Sequence, residues 1–165
     1  MESSRLRYRP LAPADLDAFH GLVRDDHVRR YLLDGALLPR TWSEERVRAS
    51  LALQARCGVG LWLVDEAASG ALVGFCGFME IPETHPVPEL VYALFERFTG
   101  RGYATEMARA CVAGARAAGL GEIWAGVDEV NAASLRVLEK VGFQPVRVLQ
   151  GAFGNLLSLR LPLTP

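Results

Sequence analysis

The chain has 165 residues, 50% of them hydrophobic and 22% charged; this fits one globular domain over residues 1–165 and excludes intrinsic disorder. No apolar run approaches the ~18 residues a membrane-spanning helix needs, and the polar opening Met1-Glu2-Ser3-Ser4-Arg5 is not a secretory leader, so a cytoplasmic protein without a membrane partner is expected. Eighteen basic groups against nineteen acidic ones leave a net charge of −1, without the basic excess that a nucleic-acid partner requires.

In chain order, residues 5–11 alternate polar and apolar and predict an opening strand. Residues 13–24 follow as a helix, with Leu16, Phe19, His20 and Val23 at helical spacing and Asp15 and Asp17 suited to its first turn. Residues 28–33 predict a second short helix. Ser43 opens another, continued by Val47, Leu51 and Ala55 four residues apart. Strands at 60–66 and 71–80 flank the turn Ala67-Ala68-Ser69-Gly70 and should pair antiparallel. Residues 81–87 are a loop, and 89–95 a strand with Leu90, Tyr92 and Leu94 on one face. A glycine-rich turn leads into a helix over 102–118, then come a strand at 122–128, a helix over 131–141 closed by Gly142, and strands at 143–149 and 155–161. About seven strands and four helices, partly alternating, imply an α/β (α+β) mixed sheet with helices on both faces.

Cys57, Cys76 and Cys111 are odd in number and widely spaced, so they read as small buried hydrophobes. His20, His27 and His85 have no partner at ligand spacing, and no metal is expected. Arg24, Arg29 and Arg30 enclose Asp25 and Asp26 and read as a solvated face. Lys140 is the single lysine of an otherwise arginine-only basic set.

Two segments carry chemistry. Thr99-Gly100-Arg101-Gly102-Tyr103-Ala104-Thr105-Glu106 joins a strand to a helix, and its glycines allow close approach of a ligand to the backbone. The unpaired amides at the helix start and the positive end of its dipole make a seat for a phosphate. Alone, this is as well a tight turn; the third glycine of the dinucleotide fingerprint is replaced by Thr105, and the P-loop lysine is missing. The second segment, Asn131-Ala132-Ala133-Ser134, follows a strand and opens a helix ending Lys140-Val141-Gly142-Phe143. Read plainly, Asn131 is an N-cap and Gly142 a left-handed C-cap, with Phe143 packing back on Leu138.

In this order, together with Arg5-Leu6-Arg7-Tyr8-Arg9-Pro10-Leu11, Val73-Gly74-Phe75-Cys76-Gly77 and Glu89-Leu90-Val91-Tyr92-Ala93-Leu94, these segments resemble the GNAT superfamily of N-acetyltransferases. The nearer likeness is to the branch of ribosomal-protein N-terminal acetyltransferases, and it covers nearly the whole chain. The resemblance implies a mostly antiparallel sheet of about seven strands that splays between the fourth and fifth. It implies acetyl-CoA as acyl donor, with no metal.

It further implies that the amides of Gly100, Arg101, Gly102, Tyr103, Ala104 and Thr105 cradle the pyrophosphate, although Thr99 replaces the usual glutamine or arginine. Main-chain groups around Ala93 and Leu94 would pair with the pantetheine arm, Asn131 would reach the cofactor, and Ser134 would lie near the thioester sulfur. For the transfer, Glu89 is the candidate base, acting through water, or equally a solvent-exposed strand-edge carboxylate; Glu80 is a second choice. The general-acid tyrosine of many relatives falls on Leu138, so that role passes to Ser134, which is equally an ordinary helix residue. The acceptor pocket is expected from the first two helices and the 81–87 loop, with Tyr31, Trp42, Trp62 and His85 as candidate lining. The implied reaction is acetyl transfer to a primary amine, of a small molecule or a protein N-terminus, by a monomer or homodimer. The alternative, which Leu138 favours, is a non-catalytic acyl-CoA sensor or interaction module.

Overall fold

Strand alternation sorts the apolar residues into two cores, one on each face of a seven-stranded sheet. The computed structural model describes residues 3–81 and 87–163. The strands are β1 (Leu6–Pro10), β2 (Leu61–Glu66), β3 (Leu72–Met79), β4 (Glu89–Leu94), β5 (Glu122–Asp128), β6 (Gln144–Gly151) and β7 (Gly154–Pro162). The helices are α1 (Leu16–Arg24), α2 (Asp26–Leu32), α3 (Arg40–Cys57), α4 (Tyr103–Ala117) and α5 (Ala132–Val141). The sheet runs β1-β2-β3-β4-β5-β7-β6, with every pair antiparallel except β4 and β5.

The larger core joins β1–β5 to α4 and α5 through Met107, Cys111, Ala115, Leu90, Leu94, Leu138 and Phe143. The other lies under α1, α2 and the first half of α3, where Phe19 meets Phe75 edge to face at 5.1 Å. Cys76 and Cys111 are buried in the first core, as their spacing suggested, while Cys57 is half-buried. The mixed, mostly antiparallel seven-stranded fold with helices on both faces is the one expected.

Two local expectations are corrected. The second short helix is present as α2, one of five α-helices where the total was put at about four, and it starts at Asp26 rather than at residue 28 because Asp25 accepts bonds from the amides of His27 and Val28. Ser43 does not open α3. That helix begins at Arg40, just after Pro39, and Ser43 is buried one turn in, where its hydroxyl meets His20 Nδ1 at 2.9 Å.

The feature that positions the site is the seam between β4 and β5. These parallel strands are in register only where Glu89 lies opposite Trp124. Beyond that point they diverge, while the other edge of β5 pairs with β7 along its whole length. β6 forms the outer edge; Pro145 and an irregularity beside Val146 interrupt its ladder, which discourages further strand addition.

Candidate functional site

At the start of α4, Gly100 and Gly102 hold φ of +73° and +80°, backbone conformations in which an L side chain is strained. No side chain caps Gly102, and the first amide of the helix to find a carbonyl is that of Glu106, donating to Gly102 O at 3.1 Å. The amides of Tyr103, Ala104 and Thr105 therefore stand at the positive end of a four-turn helix without a capping group. The loop is braced from behind. Arg5 Nη1 donates to Arg101 O at 2.8 Å, and its guanidinium lies 4.6 Å from the centre of the Tyr103 ring.

Glu106 anchors that brace by accepting from Arg5 N (3.0 Å) and Arg5 Nε (2.9 Å), with Ser3 Oγ also bonded to it. Burial pushes the Glu106 carboxyl up, but the Ser3 hydroxyl and Arg5 outweigh it and hold the group below its ordinary value. The phenol of Tyr103 donates to Glu66 Oε1 at 2.6 Å. Arg101 also turns towards Glu66, at 3.7 Å, so its side chain faces away from the open side of the loop.

Next to this loop lies the seam. Phe95 N–H donates to Val73 O, and the register with β3 makes Ala93 and Val91 its bonded positions as well. The N–H and C=O groups of Leu94 and Tyr92 point the other way, into the space that β5 leaves. Of the two expected strand residues, Leu94 thus presents its main chain to the gap, while Ala93 spends its main chain on β3. Glu89 stands at the closed end of the gap and is only 3% exposed. Its Oε2 lies 3.2 Å from where a Cβ on Gly126 of β5 would be, so the missing side chain there makes room for the carboxylate.

α5 forms the far wall. Asn131 Oδ1 accepts from Ser134 N at 3.1 Å, which caps the helix and fixes Ser134 in its first turn. Ser134 Oγ lies 2.7 Å from the hydroxyl of Tyr92, which also reaches Ser134 O at 3.3 Å. Burial pushes the Tyr92 phenol up to about 12, with the Ser134 hydrogen bond pulling the other way. At Leu138 there is no polar group; its carbonyl closes the helix by accepting from Gly142 and Phe143.

These parts open into one cleft of about 930 Å³ that runs from the α4 start along β4 to α2. Gly100, Gly102, Tyr103, Ala104, Thr105, Ala93, Leu94, Glu89, Asn131 and Ser134 all line it; Arg101 does not. Among the expected acceptor residues, Tyr31 and Ile81 line the α2 end. Trp42 instead stacks near Phe19 and Trp62 is buried in the larger core, and His85 lies outside the described residues. Glu80 is exposed and paired with Arg56 at 2.5 Å, away from the cleft. The sequence reading took Tyr92 only as a strand residue and passed over Asp34 and Asp128, which line the α2 end with His27. Burial, then the charge of Asp34, raises the Asp128 carboxyl. The alternation of β4 was the available signal for Tyr92; no signal pointed to Asp34, whose place depends on how α2 packs. Among the described residues, no group of three His, Cys, Asp or Glu side chains is placed to hold a metal ion, and no helix is long and apolar enough to cross a membrane.

A sequence model of the acetyltransferase (GNAT) domain matches residues 5–144. The uncharacterized protein YkkB of Bacillus subtilis is 32% identical over 143 residues, which are 85% of this chain and 82% of that protein. Among solved structures, an acetyltransferase from Agrobacterium tumefaciens superposes with a TM-score of 0.81 at 26% identity, over 98% of this chain and 92% of that one. Spermidine N-acetyltransferase from Vibrio cholerae, in complex with CoA and spermine, gives a TM-score of 0.77 at 18% identity, over 97% of this chain and 96% of the other.

Proposed function

The chain belongs to the GNAT acetyltransferase family, and from that premise we propose that it transfers the acetyl group of acetyl-CoA directly to a primary amine, both substrates being bound at once. The observation that carries the reading is that the uncapped start of α4 and the unpaired main chain of β4 open into the same cleft. Bare amides at a helix start suit a diphosphate, and a free strand edge suits an extended amide-bearing arm. The residues present therefore fit the cofactor. When bound, acetyl-CoA supplies a thioester whose acetyl group an uncharged amine can take.

In this reading the amides of Gly100 to Thr105 hold the diphosphate, while the Arg101 side chain serves to fix the loop. Leu94 and Tyr92 offer the main-chain groups for the arm, and an amide of β4 faces the oxygen on which charge develops. Glu89, on the α2 side of β4, takes the proton of the amine through a water. Ser134, on the α5 side, faces the sulfur. With Asp34 and Asp128 near the α2 end, the acceptor mouth attracts an ammonium group before it loses its proton. The spermidine acetyltransferase holds CoA and spermine in the same fold, which is in keeping with an amine acceptor here.

Calorimetry with CoA and thiol release from acetyl-CoA across a panel of amines test the proposal. Gly102→Asp places bulk and negative charge at the diphosphate seat and should lower CoA affinity at least a hundredfold; unchanged affinity would overturn the seat. Saturable CoA binding without turnover on any amine would support the acyl-CoA sensor instead, a reading that Leu138 favours and that the cleft positions of Glu89 and Ser134 oppose.

A further inference from the structure

Tyr92 and Ser134 come from different elements and meet across the open part of the seam, hydroxyl to hydroxyl at 2.7 Å, both on the wall of the cleft. We infer that Tyr92 is a positioning residue for acetyl transfer, which holds the Ser134 hydroxyl so that its proton points at the departing sulfur. The inference rests on the cofactor reading above and adds to it the side chain of Tyr92, to which the family resemblance assigned no role.

Two arrangements satisfy this pair. In one, Ser134 donates to the phenol and the phenol donates to Ser134 O, 3.3 Å away. In the other, the phenol donates to Ser134 Oγ, which frees the serine proton for the cleft. Only hydroxyl rotations separate them. Negative charge on a sulfur in the cleft favours the second, because each donor in the chain strengthens the next. A serine alone is free to swing among three rotamers; here the phenol fixes its oxygen, and the Asn131 cap fixes its backbone.

Tyr92 itself loses no proton. Burial pushes its phenol up to about 12, so it remains a donor at neutral pH. In the transfer the C–N bond forms and the C–S bond breaks with its electron pair on sulfur. The amine proton leaves on the Glu89 side, and solvent later protonates the released thiolate. The pair acts by stabilising that thiolate through charge-assisted hydrogen bonds.

The test is the titration of the thiol of bound CoA, followed by ultraviolet thiolate absorbance in wild type, Tyr92→Phe, Ser134→Ala and the double variant, with CoA affinity measured on each sample. Each substitution removes one oxygen and leaves the packing volume nearly intact. Tyr92→Phe should raise the thiol midpoint by about one pH unit and lower kcat about tenfold, a unit being a tenfold change in the equilibrium. It should leave KM for acetyl-CoA within twofold. In the Ser134→Ala background the same change should have no further effect, since Tyr92 acts through that hydroxyl. An unmoved midpoint with CoA bound normally would overturn the inference, as would effects that multiply in the double variant. Wild-type protein that binds no CoA would overturn the cofactor reading itself, a failure of a different kind.

Discussion

Gly126 shows how much one missing methyl group decides. A Cβ there would sit 3.2 Å from Glu89 Oε2, tighter than a relaxed contact, so Gly126→Ala has to push the carboxylate off its position. The change lies on the α2 side of β4, away from the diphosphate seat. We expect kcat/KM for the amine to fall about tenfold, the ~1.4 kcal/mol of a displaced base, while CoA affinity stays within twofold. Steady-state kinetics with the amine varied, beside CoA calorimetry, checks both halves. Residues whose role is set by their own backbone were readable from the chain: Gly100 and Gly102 at positive φ, Asn131 as a cap and Gly142 as a stop. Tyr92 was not, because its partner lies 42 positions away and no local pattern distinguishes a half-buried strand tyrosine that packs from one that also donates. Ser43 misled for a related reason. It has the chemistry of an N-cap, but the fold uses its hydroxyl for His20.

Among the elements, α4 depends most on a distant piece of chain. Arg5 and Glu106 are 101 positions apart, and their contacts tie the segment before β1 to the first turn of α4. This is why a phosphate loop was legible as a motif while the brace that shapes it was not. Glu106→Gln should cost about 1 kcal/mol, a modest figure because Arg5 is half exposed and solvent screens the pair. It should also weaken CoA binding severalfold by loosening the loop. The Glu106 carboxyl titrates below its ordinary value of 4.5, so in the folded state it keeps its charge to lower pH than in the unfolded chain. Its contribution is therefore complete above the ordinary value and fades as pH falls through the lowered one. Urea unfolding from about pH 6 down to about pH 3 should show wild type losing stability more steeply than Glu106→Gln, the two converging at the acid end. Parallel curves would remove Glu106 from the account. The succession of strands and helices along the chain and their buried faces were largely readable from periodicity, since burial on one side imposes it; which strands neighbour one another in the sheet, beyond the β2–β3 pair, was not. The splay was expected only through family resemblance; no spacing in β4 or β5 encodes where two parallel strands part.

At the scale of the molecule, the sheet is two ladders, β1 to β4 and β5-β7-β6, that touch in register only at Glu89 and Trp124; α4 and α5 pack across the join. A ligand bound along β4 and the start of α4 should stabilise the folded chain by mass action. At a hundredfold excess over its Kd, CoA should add about 2.7 kcal/mol, which for a chain of this length raises Tm by about 5–10 °C. Differential scanning calorimetry would read this directly, and Gly102→Asp should abolish it. Side-chain alternation along β4 has a last consequence. Glu89 projects towards α2 and Tyr92 towards α5, so on the proposed reading donor and acceptor enter through separate doors, and mutations that remodel one doorway should leave the other as it was. On the proposed reading, one amine is traded for another by rewriting α2 with Ile81 and Asp128 at the same end of the cleft, and a chimera that grafts those positions from a relative should take on the relative's acceptor.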